Sequence, residues 1–522
     1  MRALWRLVLT ISLVTVTAAL GADGVRSNYI RYVSGCLDTL MEFGTDRYGS
    51  NHAPILVSIL DVKTRQCPSN PPALDERWRV LRRERRNPAG ANLLTDQPTL
   101  KTMHALSRAT GDPKYARFAD GYARWYLKNL VDDKGFFWWG WHRHYDVFRD
   151  EKLGHMGNPH EIHAIHSIAW DKLWAVDPAA VRKEIEAIWQ WHVIDKQTGE
   201  INRHGDGQRG CDFAMSAGAC AHAFAFLYTQ TREPVWLERA KLLARYYWDR
   251  RNPATNLFPD RPNAGAKRFD GSHFVTADTG LHCHALLKCH ELTGDALFKD
   301  YALAYLKAYR RYAYDSDTGK FWGSLNLDGT PVPGPRVVSE YAAYEPRGHL
   351  DLWQPYVAGY EHPLPTAQVY AYAAHLTGDS EMLDTARLFA RFIATEWPPR
   401  ACLKDTWYRG YAEEYAPQGT YAGLYGQTIS FFIHLYILTA EPSHLQTARQ
   451  AADDAVARLY ANGLFRGHPA KPYYEAMDGV GCLLYALLEL DLVLRQPQKA
   501  VTHNAILAGP AADRFRLPLD NW

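Results

Sequence analysis

A turn built on Thr-Gly-Asp recurs along this chain, and its spacing restricts the folds that the chain can adopt. The full triplet occurs at 110–112, 293–295 and 377–379, and related turns that end in Pro occur at 175–178, 231–234 and 439–442. In such a turn Gly ends one helix, Asp or Thr caps the next, and Pro fits the first turn of that helix. Measured at positions 111, 177, 232, 294, 378 and 440, the intervals are 66, 55, 62, 84 and 62 residues. This is the size of a helical hairpin with a long loop.

The second half of each repeat is a loop that follows the hairpin. Glycine leads these loops at Gly135, Gly199, Gly319 and Gly463. Because the loops occupy one equivalent place in the repeat, we expect them at one end of a closed ring of hairpins, where a cleft forms. The sequence therefore predicts an all-α fold, an (α/α) toroid of six or seven hairpins, in which helices near 27–43 and 479–495 complete the seventh. An all-α solenoid that stays open is the alternative, but the compact, aromatic-rich chain favours closure.

The first 22 residues have the pattern of a secretory signal peptide. Arg2 and Arg6 precede an apolar run, and small residues follow it. We therefore predict an exported, periplasmic or extracellular monomer in which residues 23–522 form a single toroidal catalytic domain. Without those two arginines the 59 basic residues become 57, equal to the 57 acidic ones. This balance argues against a nucleic-acid partner and against a membrane-surface binder. No segment after residue 22 has eighteen unbroken apolar residues, which argues against stable membrane insertion.

Eight cysteines in 522 residues are too sparse for a scaffold built on disulfide bonds. Export permits disulfide bonds at Cys211–Cys220 or Cys283–Cys289, although spacing alone does not decide either pairing. The sequence contains no CxxC pair, which argues against a zinc ribbon and against thioredoxin-like chemistry.

Histidines and one carboxylate offer metal ligands in three consecutive loop regions. His142 and His144 lie in the first, Glu161 in the second and His204 in the third. Two imidazoles and a carboxylate suit a transition-metal ion better than calcium, which prefers oxygen ligands alone. We therefore expect a site for manganese, cobalt, nickel or zinc, with His142 and His144 both kept as candidates.

The histidine-rich segment 160–166 has a superficial similarity to the helical zinc-protease motif. Ala164 stands where the second His of that motif is required, so the motif is absent. On a helix, His160, His163 and His166 would share one side, and Glu161 would point elsewhere.

Arg203 precedes His204 and brings a guanidinium to the candidate metal site. A guanidinium can bind the carboxylate of a uronic acid with two hydrogen bonds and stabilise charge at the adjacent carbon. We therefore expect Arg203 to face an acidic sugar. The other residues expected to bind substrate are Trp141, Tyr145, Arg209 and Arg347, and the loop aromatics Trp138, Trp139 and Trp322 are also expected to face the ligand.

On these residues the chain resembles the pectate lyases of polysaccharide lyase family 2, in architecture over most of its length and in motif over residues 138–210. The resemblance implies an (α/α) toroid, dependence on a transition metal and β-elimination of pectate (polygalacturonate). It implies that the metal, with manganese, cobalt or nickel preferred, is held by His142 or His144 together with Glu161 and His204. It also implies that Arg203 is the catalytic Brønsted base.

Arginine is a poor base, because its pKa in proteins lies above about 12. It can act as one only where the site disfavours its cation; otherwise His204 or a Tyr would take the proton. Two other functions stay open. The same toroid could carry an unsaturated uronyl hydrolase or a sugar epimerase, or the protein could bind acidic oligosaccharides without catalysis. A metal requirement and unsaturated products distinguish the lyase from these alternatives.

Overall fold

A computed structural model describes residues 28–68, 90–140, 142–154, 157, 159–162, 168–263, 271–334, 346–353, 363–399, 419–497 and 501. The signal peptide predicted at residues 1–22 lies outside these ranges. The helices are α1 (Tyr29–Thr39), α2 (Leu93–Thr110), α3 (Lys114–Asn129), α4 (Trp170–Val176), α5 (Pro178–Ala187), α6 (Ala214–Thr231), α7 (Pro234–Trp248), α8 (Cys283–Thr293), α9 (Ala296–Ala313), α10 (Pro363–Thr377), α11 (Ser380–Thr395), α12 (Ala422–Thr439), α13 (Pro442–Leu459) and α14 (Val480–Arg495). Within the described part of the chain, no helix combines the length and the apolar character needed to cross a membrane.

Each of the six recurring turns joins two helices, as the sequence predicts. Gly111, Gly294 and Gly378 end α2, α8 and α10 with φ of 77°, 73° and 70°. These angles lie in the left-handed region, where Gly avoids the steric cost of a Cβ. Asp295 and Asp379 then cap α9 and α11 by accepting a backbone N–H. Pro starts the second helix of the other three turns, at positions 178, 234 and 442.

The hairpins form a ring of inner helices surrounded by outer helices. The inner helices are α2, α4, α6, α8, α10, α12 and α14, and their outer partners are α3, α5, α7, α9, α11, α13 and α1. Residues 422–436 of the inner helix α12 are all buried, whereas the outer helix α11 buries one face only. A helix that is covered on every side belongs at the centre of a helical ring. The (α/α) toroid predicted from the sequence is therefore confirmed.

Short antiparallel strands lie in loops that connect the helices. They are β1 (Ile59–Asp61), β2 (Gly90–Ala91), β3 (Arg143–Asp146), β4 (Glu151–Gly154), β5 (Val193–Asp195), β6 (Glu200–Ile201), β7 (Phe274–Val275), β8 (Tyr314–Asp315), β9 (Lys320–Phe321), β10 (Ser324–Leu325), β11 (Tyr460–Ala461), β12 (Leu464–Phe465) and β13 (Tyr473–Glu475). β2, β3 and β4 form one sheet, and the others pair as β1 with β13, β5 with β6, β7 with β10, β8 with β9 and β11 with β12. These strands were not predicted from the sequence, because a strand of two to four residues has too few positions to show alternation.

The ring closes where α14 packs against both α12 and α2. At this seam Gly481 lies so close to α2 that a Cβ would be 2.5 Å from the backbone nitrogen of Thr99. Thr102 Oγ1 also donates a hydrogen bond to the Gly481 carbonyl at 3.3 Å. The pairing of β1 with β13 joins the two ends of the chain a second time. The toroid is thus closed, and the open solenoid is excluded.

The two disulfide bonds considered from the sequence are absent. Cys220, Cys283 and Cys289 are buried free thiols. Neither Cys211–Cys220 nor Cys283–Cys289 is therefore bridged, and the packing of the inner helices holds this region without a covalent link.

Replacing Gly481 by Ala is expected to lower the free energy of unfolding by about 1–3 kcal/mol, because the new Cβ would displace the Thr99 backbone. The matched control is Gly121→Ala on α3, where nothing lies within 4 Å of an added Cβ. That variant should gain about 0.5–1 kcal/mol through helix propensity. Urea denaturation of the two variants measures both changes, and a Gly481→Ala protein as stable as wild type would contradict the tight seam.

Candidate metal centre

Two extended segments carry most of the candidate ligands. Glu161 and His204 form an isolated antiparallel bridge, and the Ile162 amide donates to the Arg203 carbonyl at 2.9 Å. The described residues 159–162 are therefore not helical, and a helical histidine face is excluded for this part of the segment. His142 and Glu161 both belong to the connection between α3 and α4, and His204 belongs to the connection between α5 and α6. The ligands thus come from two connections rather than the three that the sequence indicated.

The Glu161 carboxylate lies at the centre of the site. Its Oε2 is 3.0 Å from His142 Nε2, and its Oε1 is 3.0 Å from Arg203 Nη2 and 3.6 Å from His204 Nε2. The ligand atoms of His142, Glu161 and His204 all lie within 4.8 Å of one another. The structure therefore brings together three of the four predicted ligands and the predicted base.

The site is buried, and its least covered member is His204. His142, Glu161 and Arg203 are each 1% exposed, and His204 is 9% exposed. Burial lowers the pKa of His204, although the hydrogen bond to Glu161 acts in the opposite direction. The neutral imidazole favoured in this way is the form that ligates a metal ion.

Side chains at the start of two inner helices hold the loops of the site. Asn92 caps α2, and its amide also donates to the carbonyls of Gly140 and Arg143 at 2.5 and 3.2 Å. Ser216 on α6 donates to the Ile162 carbonyl at 2.7 Å. The two connections are therefore anchored to rigid helices, as a precise site requires.

Arg203 is oriented by contacts on two sides. Its amide donates to the Cys211 carbonyl at 3.0 Å. Its guanidinium carbon lies 4.1 Å from the centre of the Phe213 ring, while Glu161 binds one guanidinium nitrogen. Such a cation–π contact favours a guanidinium lying over the ring face. The planar group is thereby held between the aromatic ring and the carboxylate.

The donor set fits a divalent transition metal. Two imidazole nitrogens and one carboxylate, buried and within 4.8 Å of one another, match the ligand types and the spacing of such a site. Three protein ligands also leave coordination positions for a substrate, as catalytic metal sites require. The same donors accept manganese, cobalt or nickel, so the identity of the ion does not follow from them.

Two of the predicted residues lie outside the ligand cluster. His144 stands on β3 opposite Leu153, and burial lowers its pKa to about 4. Tyr145 is buried, and its hydroxyl contacts Asp150 at 3.3 Å and Asn51 at 3.2 Å. Of these two histidines, His142 contacts Glu161, and His144 lies outside the ligand cluster.

The other residues expected to bind substrate are dispersed. The side chain of Arg209 is 68% exposed and pairs with Glu200 at 3.2 Å. Arg347 is partly buried in the connection between β10 and α10. Trp141 lies outside the described residues. Their contribution to substrate binding stays a prediction.

The loop aromatics are packed against the protein itself. Trp139 is 1% exposed, and its indole nitrogen lies 3.1 Å from His160 Nε2, so the expectation that it faces a ligand is wrong. The indole of Trp138 donates to two backbone carbonyls at 3.0 Å. Trp322 stacks on His349 with ring centres 3.9 Å apart.

A buried polar network behind the site was not predicted from the sequence. His160 Nε2 lies 3.0 Å from Glu184 Oε1, and His160 Nδ1 lies 2.8 Å from His192 Nε2. Burial lowers the pKa of both histidines well below the ordinary value for histidine. It raises the pKa of Glu184 well above the ordinary value for glutamate. Glu184 lies on the outer helix α5, and His192 ends the π-helical turn Ile188–His192. In the sequence, Glu184 and His192 look like ordinary polar positions of an amphipathic helix, and no local motif identifies them as part of a site.

Comparison with known proteins supports the pectate lyase resemblance over part of the chain. Residues 75–215 match the family described as periplasmic pectate lyase, a range that contains all four residues of the centre. A pectate disaccharide-lyase of Dickeya dadantii (strain 3937) is 30% identical over 125 residues, which are 23% of this chain and 23% of that protein. The chain thus matches under a quarter of the length of this relative. The resemblance to pectate lyases is confirmed for this segment.

Solved structures resemble the chain over a larger span. The crystal structure of a D-mannose isomerase covers 88% of this chain, and 97% of its own chain is covered, at 12% identity and a TM-score of 0.44. A family 76 glycoside hydrolase from a bovine Bacteroides thetaiotaomicron strain covers 89% of this chain and is itself covered over 78% of its length. The identity is 13% and the TM-score is 0.46. An unsaturated glucuronyl hydrolase from Bacillus sp. GL1 covers 90% of this chain and is itself covered over 96% of its length. The identity is 13% and the TM-score is 0.43.

His142→Gln should weaken the binding of manganese by at least about 100-fold, because it removes an imidazole that touches Glu161. His144→Gln, the matched control, should leave the affinity unchanged, since His144 lies outside the cluster. Isothermal titration calorimetry on the chelator-treated protein measures both dissociation constants. Equal losses in the two variants would contradict the assignment of His142.

Proposed function

We propose that this protein is an exported polysaccharide lyase that cleaves pectate by metal-assisted β-elimination. The observation that carries the proposal is the Glu161 carboxylate, which is buried in contact with His142, His204 and Arg203. The match of residues 75–215 to the periplasmic pectate lyase family supports it independently. A carboxylate-binding centre of this kind suits a uronate polymer better than a neutral sugar.

β-Elimination begins with loss of the proton on C5 of a galacturonosyl residue, next to the C6 carboxylate. The glycosidic bond from C4 to oxygen then breaks, a double bond forms between C4 and C5, and the departing oxygen takes up a proton. A divalent metal held at this centre would supply positive charge, which would make the C5 proton of a bound uronate more acidic. His142, Glu161 and His204 would hold that ion, and their burial keeps competing water away. The chain's contribution is thus to fix the uronate with its C5 proton facing Arg203.

Arg203 is the proposed base. Its contact with Phe213 and the hydrogen bond of its amide hold it in one place beside the ligands. Glu161 stabilises the charged guanidinium, which opposes the loss of its proton. The base role therefore requires that the negative charge of Glu161 be engaged by another cation, a condition that exists only in the loaded site. After proton transfer the same guanidinium can bind the substrate carboxylate.

The proposed location is the periplasm or the extracellular space. The family that matches is described as periplasmic, and the sequence begins with a signal-like segment. A monomer with an acidic polysaccharide as its partner is the simplest assembly that the proposal needs. Residues 23–522 would then act as one catalytic domain.

Incubation with polygalacturonate should release products that absorb ultraviolet light, because elimination creates a double bond conjugated with the carboxylate. A chelator should abolish this activity, and added manganese, cobalt or nickel should restore it. New reducing ends without ultraviolet absorbance would indicate a hydrolase instead. Binding of the polymer without turnover under every ion would support a non-catalytic protein.

Arg203→Ala should lower kcat by about 100-fold or more, which is the usual contribution of a positioned base. The variant should still bind manganese, because His142, Glu161 and His204 are all retained. Arg182→Ala is the control, because Arg182 lies on the outer helix α5 and pairs with Glu186 on the same helix and with Glu233 just before α7. Initial rates of ultraviolet absorbance measure the effect, and a kcat within a few-fold of wild type would remove Arg203 from the mechanism.

A further inference from the structure

The turn that carries Arg203 and His204 is held from behind by His192. The backbone amide of Asn202 donates to the His192 carbonyl at 2.7 Å. The Asn202 carbonyl in turn lies 2.7 Å from His192 Nδ1. Both backbone groups of Asn202, the residue immediately before Arg203, are therefore bound by one histidine.

The hydrogen-bond directions in this network follow from the Asn202 carbonyl. A carbonyl can only accept, so His192 Nδ1 must carry a proton. The neutral ring then accepts at Nε2, where His160 Nδ1 lies 2.8 Å away and must donate. His160 Nε2 is left as an acceptor, which the indole N–H of Trp139 approaches at 3.1 Å. Glu184 Oε1 lies 3.0 Å from the same nitrogen and must carry a proton to donate there. The Asn202 carbonyl thus fixes one tautomer of each ring.

The network also joins the two segments of the metal centre. His160 precedes Glu161, and its carbonyl accepts the Gly205 amide at 2.9 Å. The segments are thus linked in front by their backbone bridge and behind by the pair of histidines. Phe136 stacks on His160 with ring centres 4.0 Å apart and meets the edge of His192 at 5.3 Å. This packing leaves the rings little freedom to turn.

Gly205 shows how closely the turn lies against this support. A Cβ at this position would be 3.1 Å from Phe136 and 3.2 Å from His192 Nε2. His192 and His160 are 0% and 2% exposed, so water has little access to replace a lost hydrogen bond. A change at His192 would therefore be transmitted to the backbone of the turn.

We infer that His192 is a positioning residue for the metal centre, which places His204 by donating its Nδ1 proton to the Asn202 carbonyl. The inference rests on the proposed metal centre and extends it to a residue that touches neither ion nor substrate. Partners of this outer kind usually contribute 10- to 100-fold to metal affinity. Its effect should appear in ion binding as well as in turnover.

Three replacements separate the hydrogen bond from the volume of the ring. His192→Asn places an amide nitrogen near the position of Nδ1 and keeps the donor, so its manganese affinity should stay close to that of wild type. His192→Gln moves the amide to the position of Nε2 and loses that donor. His192→Phe keeps the volume and loses both groups. The last two should bind manganese about 10- to 100-fold more weakly.

The matched control is His290→Phe. His290 Nδ1 also contacts a backbone carbonyl, that of Asp295 at 3.0 Å, but at the turn between α8 and α9. This variant should keep the manganese affinity of wild type, whatever its thermal stability. Titration calorimetry and the electron paramagnetic resonance spectrum of bound manganese give the readouts, and circular dichroism checks folding.

The positioning role of His192 is overturned if His192→Gln binds manganese as tightly as wild type. It is also overturned if His192→Asn loses as much affinity as His192→Gln. Should His192→Phe fail to fold, the Asn and Gln pair still decides. A wild-type protein that binds no divalent ion overturns both this inference and the metal centre. One that binds manganese in a His192-dependent way but forms no unsaturated product overturns the lyase function alone.

Discussion

The close approach of the last inner helix to the first is the contact on which the architecture depends. Only a residue without a side chain permits it, since a Cβ on Gly481 would meet the Thr99 backbone at 2.5 Å. With the ring closed, the connections from outer to inner helices are held near one end, and Glu161 can reach His204. An open array of the same hairpins would have no fixed end at which such loops converge.

The groups around Glu161 offset the electrostatic cost of burying its charge. A carboxylate that is 1% exposed is costly unless it is surrounded by groups that stabilise its charge. Glu161 has an imidazole on one oxygen, and a guanidinium and a second imidazole on the other. The arrangement that makes its burial tolerable is also a metal donor set with an arginine beside it. The contacts that stabilise the buried Glu161 are therefore the same contacts that the proposed chemistry uses.

The fold was largely predictable from the sequence because its signals are local. A Gly that ends a helix and an Asp that caps the next act within a few residues, and Gly294 with Asp295 does so as predicted. Glu161, Arg203 and His204 could be selected because their side-chain chemistry is unusual in combination. Their approach required the closed ring, which the repeat indicated.

The rest of the site depends on contacts across long stretches of sequence. The choice of His142 over His144 follows from the position of strand β3, which is too short to recognise in the sequence. Asn92 lies about 50 residues before the carbonyls that it holds, and its sequence context marks only a helix cap. The support from His192 depends on a π-helical turn, for which the sequence has no simple pattern.

The origin of the ligands in two connections has a consequence for the whole ring. His142 and Glu161 follow α3, whereas His204 follows α5, so an ion shared by them would cross-link the two connections on either side of the α4–α5 hairpin. An ion that binds the folded state alone stabilises it in proportion to the logarithm of its concentration. The thermal tolerance of this protein would then follow the metal content of its surroundings.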